Sequence, residues 1–521
     1  MNKQSMFMAP TDQEEINKTI DIVKRKNSAG HDNVSSSLLK DIKVEISQPL
    51  EILFNKSLQT GHVPDLMKLA KVIPIYKSKN KEIMNNYRPI SLLPIFSKLL
   101  EKIVHKRLYN FFNSQSILYP SQYGFRPNHS TNHAIHEFVD GVTASLENKQ
   151  HTLSVFLDLS KAFDTIDHNI LLGKLSWYGV RGKALDWFRS YLENRKQYVE
   201  YCHTESSILT VPCGVPQGSV LGPLLFIIYT NDLPNCLKNS KAILFADDTT
   251  IYISSNDTRQ LYISANLELQ SLTEWFRANK LSLNVAKTHY VFFRCNNADV
   301  PMDIDLNIGD DIIEEAHVAK FLGMFIDSKL DWNVHLDYVK NKLNSSLYAM
   351  RRVKHILSKN HLMTLYYSLI YPYIDYGITM WGSATKIHTN KITLLQKKAV
   401  RIISNARYND HTEPLFRELK ILKLDDIYKL KLNKFMFSLN SGLLPSPLSN
   451  MIISNRDVHV HYTRNRNNPH IEQRQTKRAS NMLKHLGPTI WYQTPNNIKI
   501  SRTIYSFTKR YKKMVLDRYV P

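Results

Sequence analysis

The sequence predicts an α+β fold, and three features of it carry that prediction. Short β-like runs at residues 72–76, 153–159, 242–246 and 249–253 are scattered irregularly among longer helical segments. A doubly wound parallel sheet would need strict strand–helix alternation, which is absent. Leu261, Ala265, Leu269, Leu272 and Phe276 fall at steps of four, four, three and four, one face of a long helix. Beyond residue 331 the chain turns helical and basic together.

Taken in order, Thr11-x-x-Glu14 reads as a capping box opening a helix that runs into Lys24-Arg25-Lys26. Residues 27–32 form a turn, and a second helix runs through Leu38 to about Leu58. A strand at 72–76 and a polar loop at 77–86 follow. Tyr87-Arg88-Pro89-Ile90-Ser91 then leads into an apolar helix over about 92–108. After the strand at 153–159 come helices near 169–178 and 183–195. Apolar residues crowd without alternation at 224–229, which predicts a helix. The runs at 242–246 and 249–253 flank an acidic pair and predict a hairpin. From 335 to about 439 the periodicity is helical, with Tyr366, Tyr367, Tyr371, Tyr373 and Tyr376 in its middle. Pro445-Ser446-Pro447 marks a break. The tail beyond it, including residues 459–469, is polar and basic and is expected to be only partly ordered.

With 521 residues the chain has room for two to four domains. Its net charge of +22 is unevenly spread: residues 1–330 hold 36 Lys and Arg against 35 Asp and Glu, and residues 331–521 hold 32 against 11. A basic segment on a neutral body is the footprint of polyanion binding, although a merely solvated basic surface has the same composition. Cys202, Cys213, Cys236 and Cys295 show neither CxxC nor zinc-knuckle spacing, so neither a disulfide scaffold nor a zinc knuckle is expected. No apolar run is long enough to span a bilayer, and an intracellular location is expected.

The chemistry concentrates at Phe245-Ala246-Asp247-Asp248, with Asp158 closing the strand-like run Leu153-Ser-Val-Phe-Leu-Asp158. Hard divalent cations take oxygen ligands, and two held close together clamp the attacking and leaving oxygens of an in-line phosphoryl displacement. An Asp-Asp pair by itself is more often a turn with solvated carboxylates. Other residues also admit bland readings. Lys77 and Arg88 can be solvated side chains, Pro216-Gln217-Gly218-Ser219 an ordinary turn, and the tyrosine cluster a helical core. His129, His133 and His136 fall at helical spacing, but without a Cys or acidic partner they suit plain surface or template contact better than zinc.

Eight motifs in order change that balance. They are Val72-Ile-Pro-Ile-Tyr-Lys77, Tyr87-Arg88-Pro-Ile-Ser-Leu, Tyr123-Gly-Phe-Arg126-Pro, Phe156-Leu-Asp158-Leu-Ser-Lys-Ala-Phe163-Asp164, Pro216-Gln217-Gly218-Ser219, Phe245-Ala-Asp247-Asp248, Leu281-Ser-Leu-Asn284-x-x-Lys287-Thr and Phe321-Leu322-Gly323. The series resembles the reverse transcriptases of non-LTR, LINE-like retrotransposons, nearest the jockey-like branch. Group II intron and telomerase-type polymerases share the acidic residues but not this wording. The resemblance implies a right-hand polymerase: an N-terminal helical extension at 1–60, fingers and palm with an antiparallel sheet at 61–330, a basic helical thumb at 331–445 and a basic C-terminal region at 446–521. It implies two Mg²⁺ ions, with Mn²⁺ as a substitute, on Asp158, Asp247 and Asp248. Lys77 and Arg88 would meet the triphosphate, Phe163 would lie under the sugar and disfavour ribonucleotides, and Gln217 would bond the nascent pair. Lys287 would protonate the departing pyrophosphate. Arg126, Gly218, Leu322 and Gly323 would lie against nucleic acid. Asp164 is not a core ligand in that family, and a structural or capping role is expected for it.

The implied activity is RNA-directed DNA synthesis, with an RNA template, a DNA primer or target and deoxynucleoside triphosphates as partners, in a ribonucleoprotein of nucleus and cytoplasm. The alternative is a relic that binds RNA or DNA without polymerising. No apurinic-type endonuclease precedes the fingers motifs in this sequence, so a pre-existing nick or an endonuclease in trans is expected to supply the primer. The final Trp491-Tyr492-Gln-Thr494-Pro and Ser506-Phe507 resemble the family's C-terminal signature, with Tyr492 in place of the usual Asn and Thr494 in place of Leu.

Overall fold

The computed structural model describes residues 2–78, 80–295, 303–458, 466–471 and 476–519. Most of the tail segment 459–469 therefore lies outside the described residues. The fold is mixed α+β and divides into two compact units: residues 1–125, 158–238 and 268–284, and residues 126–157, 239–267 and 285–521. Among the described residues no helix is long and apolar enough to cross a membrane.

The first unit opens with helix Gln13–Ile22. Its N-cap is Asp12, whose side chain accepts from the Glu15 N–H, so the capping box expected at Thr11 is displaced by one residue. Thr11 instead bonds the Glu15 carboxylate through its hydroxyl. The helix expected as one piece through Leu38 is two, Ser36–Asp41 and Lys43–Thr60, because Ile42 leaves helical geometry at φ −108°, ψ 21°. Strand Leu69–Tyr76 pairs antiparallel with Tyr87–Leu92 and parallel with Lys196–Tyr201. Leu92 thus ends a strand rather than starting a helix. Helix Ile95–Ser114 begins only after Pro94, because a residue preceding proline is held out of the helical region. The apolar run Gly222–Tyr229 is a helix whose side chains from Leu224 to Tyr229 are all fully buried.

The core of the second unit is a sheet in the order Glu314–Glu315, His289–Phe293, His151–Leu157, Asp248–Ser255, Lys241–Phe245, antiparallel except at Glu314–Glu315. His151–Leu157 is buried at every position, as a central strand covered on both faces must be. Helix Thr131–Glu147 puts Phe138 against Phe156, Tyr252 and Phe293. His136, expected at the surface, is 2 % exposed, hydrogen-bonded through Nε2 to Thr379 Oγ1 at 2.9 Å and packed against Phe435. It is a core histidine.

The basic segment is a succession of helices, chief among them Asn333–Val353, Lys386–Ile403 and Leu424–Asn440. A π-helical turn, Tyr366–Ile370, interrupts them at the tyrosine cluster, where Tyr366 is fully buried. Beyond residue 482 the tail carries two helices, Leu483–Tyr492 and Ile504–Asp517, that its polar, basic composition did not predict. Phe507 stacks on Trp491 at 5.9 Å and meets Phe437 at 4.9 Å, while Thr494 donates to buried Asn433 at 2.8 Å. The C-terminal signature residues therefore form a helical core.

Candidate active site

Asp247 and Asp248 sit where the sequence pattern puts them. Phe245 pairs with Asp248 across a two-residue loop, Ala246-Asp247, in which Ala246 takes φ 57°. Both carboxylates are exposed. The same strand pairs Thr249 with Leu157, and the chain runs from Leu157 directly into Asp158. In the first unit, half-buried Asp158 accepts from Asn284 Nδ2 at 3.2 Å, and its carbonyl accepts from the Asn284 N–H at 2.8 Å. Ser160 N–H to Ser282 O at 2.9 Å and the Leu159–Leu283 bridge extend the contact, so the Leu-Ser-Leu-Asn motif lies along the first acidic motif. Asn284 is a functional candidate the motif contained but whose role the sequence did not reveal.

Carboxylate oxygens are the hard donors that Mg²⁺ takes, so the chemistry of these three side chains suits it. Among the described residues, no three or more His, Cys, Asp or Glu side chains are gathered as a metal site.

Lys77 and Arg88 share one hairpin. Arg88 lies opposite Ile75, and the Lys77 N–H bonds Asn86 O at 2.8 Å just past the Tyr76–Tyr87 pair. Both side chains are exposed. Lys287, also exposed, ends the short turn Val285–Lys287. Arg126, half-buried, precedes helix Thr131–Glu147 and accepts the His129 N–H on its carbonyl at 3.3 Å. Leu322 and Gly323, at φ 46° and 87°, form the tight turn between strands Val318–Phe321 and Met324–Asp327. The Tyr376 hydroxyl donates to the Leu322 carbonyl.

Phe163, Gln217 and Gly218 come together in the first unit. Phe163 stacks on Phe226 with centroids 4.7 Å apart, and Phe125 meets its ring edge-on at 6.1 Å. Gly218 takes φ 116°, and a β-carbon there would lie 2.8 Å from Ser91 O, so neither the backbone angle nor the space admits a side chain. The Gln217 carbonyl accepts from the Ser91 N–H at 2.7 Å, while its side-chain Nε2 donates to both oxygens of Asp164 at 2.9 and 3.0 Å. Burial pushes the Asp164 carboxyl up despite that bond.

Glu101, missed by the sequence reading, anchors the other side of this loop. Only 1 % exposed, it accepts the Val220 and Leu221 N–H groups at 2.6 and 3.1 Å and the Ser97 hydroxyl at 3.3 Å. Burial raises its pKa, opposed by Arg195 and those amides. A glutamate amid an apolar helix was the available signal. The histidines are of another kind: desolvation lowers His133 to about 4 and His136 to about 3, leaving both neutral at pH 7.

Comparison with known proteins agrees with these motifs. Residues 76–326 match the family described as reverse transcriptase (RNA-dependent DNA polymerase). The chain is 31 % identical over 444 residues to the probable RNA-directed DNA polymerase from transposon BS of Drosophila melanogaster, covering 81 % of this chain and 48 % of that protein. To the RNA-directed DNA polymerase from mobile element jockey of the same organism it is 28 % identical over 483 residues, 90 % of this chain and 52 % of that one. The corresponding X-element protein is 28 % identical over 415 residues, 78 % and 45 %. The chain spans about half the length of these relatives.

Proposed function

We propose that this chain, which carries a reverse transcriptase domain of the non-LTR retrotransposon type, adds deoxynucleotides to a primer 3′-hydroxyl on an RNA template. The observation that carries this reading is the hairpin: two exposed carboxylates at its tip, on a strand paired in register with the one that runs into Asp158. In this reading the five-stranded sheet is the palm, the Lys77–Arg88 hairpin belongs to the fingers, and the helices of residues 331–445 are the thumb. Residues 446–521 form a C-terminal region, and residues 1–60 an N-terminal extension.

Two Mg²⁺ ions, replaceable by Mn²⁺, on Asp158, Asp247 and Asp248 would lower the pKa of the primer hydroxyl and neutralise charge on the triphosphate. The chain's own side chains do the rest. Lys77 offers the triphosphate a point charge and Arg88 a planar fork. Phe163, held between Phe226 and Phe125, presents a fixed ring against the sugar, where a 2′-hydroxyl would collide. Gln217 hydrogen-bonds the incoming nucleotide, and Gly218 lets the backbone approach it. The primer 3′-hydroxyl gives its proton to water as its oxygen attacks the α-phosphorus in line, the bond from that phosphorus to the bridging oxygen breaks, and pyrophosphate departs with a proton from Lys287 Nζ. Arg126, Leu322 and Gly323 lie along the nucleic acid.

Primer extension on a primed RNA template, with Mg²⁺ and the four deoxynucleotides, tests this. The expected result is template-length DNA. Salt-sensitive filter binding without extension would replace this reading with that of a binding-only relic.

A further inference from the structure

We infer that Asp164 is a positioning residue: it fixes the orientation of the Gln217 amide so that the carbonyl oxygen, and not the NH₂ group, is offered to the nucleotide. The inference rests on the proposed nucleotide contact of Gln217 and specifies its polarity.

An ionised carboxylate only accepts hydrogen bonds, whereas a glutamine amide has one accepting and one donating end of nearly equal size. Opposite Asp164, only one of the two amide orientations is bonded. Nε2 points at the carboxylate, 2.9 and 3.0 Å from its two oxygens. The reversed amide would set oxygen against oxygen. With Nε2 engaged, Oε1 is the end left to a ligand, so the ligand must contribute a donor there.

Both partners are themselves held. Gln217 is tied by its carbonyl to the Ser91 N–H at 2.7 Å. The Asp164 segment is zipped to the residues before Gln217: Val215 N–H bonds Phe163 O at 2.9 Å, and Gly214 N–H bonds Ile166 O at 2.8 Å. A β-carbon on Gly214, at φ 82°, would lie 2.7 Å from Asp164 O, so that approach requires glycine. Phe163, the neighbour of Asp164, is fixed in turn by its stack on Phe226. One short segment therefore carries the ring proposed to meet the sugar and the carboxylate that aims the amide.

The test is a double-mutant cycle on the steady-state KM for deoxynucleotide during primer extension, with thermal melting as a check on folding. Gln217→Ala and Asp164→Ala should each raise KM about three- to tenfold, the scale of one net hydrogen bond, with a smaller change in kcat. The double variant should be no worse than either single one. Asp164→Asn, which keeps size but can donate as well as accept, should also raise KM while melting as the parent does. A raised KM in Gln217→Ala with an unchanged one in Asp164→Ala overturns the inference alone, as do effects that multiply in the double variant. An unchanged KM in Gln217→Ala overturns the nucleotide contact and the inference with it.

Discussion

Asp247 and Asp248 stand exposed on a hairpin tip in the second unit, while in the first unit Glu101 and Asp164 are drawn inward, each against hydrogen-bond donors. All four are carboxylates, and their surroundings set them to different tasks. An exposed carboxylate is solvated without the desolvation cost of burial and can be approached by a cation from solvent. A buried one needs donors to offset its desolvation, and so becomes a fixture that holds backbone or side chain in place. In the proposed reading the hairpin presents the chemistry, while the Pro216–Ser219 region is held in shape by polar groups remote in sequence.

Removing a buried fixture should produce the largest stability change. Glu101→Ala leaves two backbone N–H groups without their acceptor and Arg195 without the nearby opposite charge, and should cost about 3 kcal/mol in urea unfolding. Glu101→Gln keeps an acceptor and should cost less. A loss below 1 kcal/mol for Glu101→Ala would break the contrast.

The buried histidines extend the comparison to cations. Between about pH 3 and the ordinary histidine value of 6.5, the unfolded chain protonates residue 136 and the folded chain does not. Stability therefore falls as pH drops below about 6.5, with His136 contributing at most about 1.4 kcal/mol per pH unit and His133 adding to it down to about 4. His136→Gln should flatten the dependence of the urea midpoint between pH 7 and 5. An unchanged slope would mean that His136 protonates in the folded state.

Tyr376→Phe removes the hydroxyl that donates to Leu322 O at the tight turn and also meets the Thr131 side chain, and should cost about 1 kcal/mol in the same assay. The smallest effect belongs to the exposed side of the comparison: Asp247→Asn should change stability by no more than about 0.5 kcal/mol. A loss as large as that of Glu101→Ala would make Asp247 a structural residue.

What the sequence made legible follows the same divide. The hairpin was readable because two β-like runs flank a short polar loop, and the long helix because Leu261, Ala265, Leu269, Leu272 and Phe276 fall on one face, all of them buried. Local pattern fixes both. The clamp on Gln217 comes from a residue 53 positions away and the bonds to Val220 and Leu221 from one 119 and 120 positions away, distances at which no periodicity operates. The cap shifted from Thr11 to Asp12 because both residues can cap and the sequence alone does not rank them. The C-terminal helix Ile504–Asp517 was masked by its basic composition, although Phe507, Tyr511 and Val515 recur every four residues and are all buried.

On the proposed reading, the Asp247–Asp248 hairpin is the chemical centre of a polymerase. Single-turnover extension of a primed RNA template by Asp247→Ala, with template–primer binding measured in parallel, tests it most directly. The rate should fall about a thousandfold or more, the scale of several kcal/mol of charge stabilisation, with binding largely intact. Extension at the parent rate would contradict it.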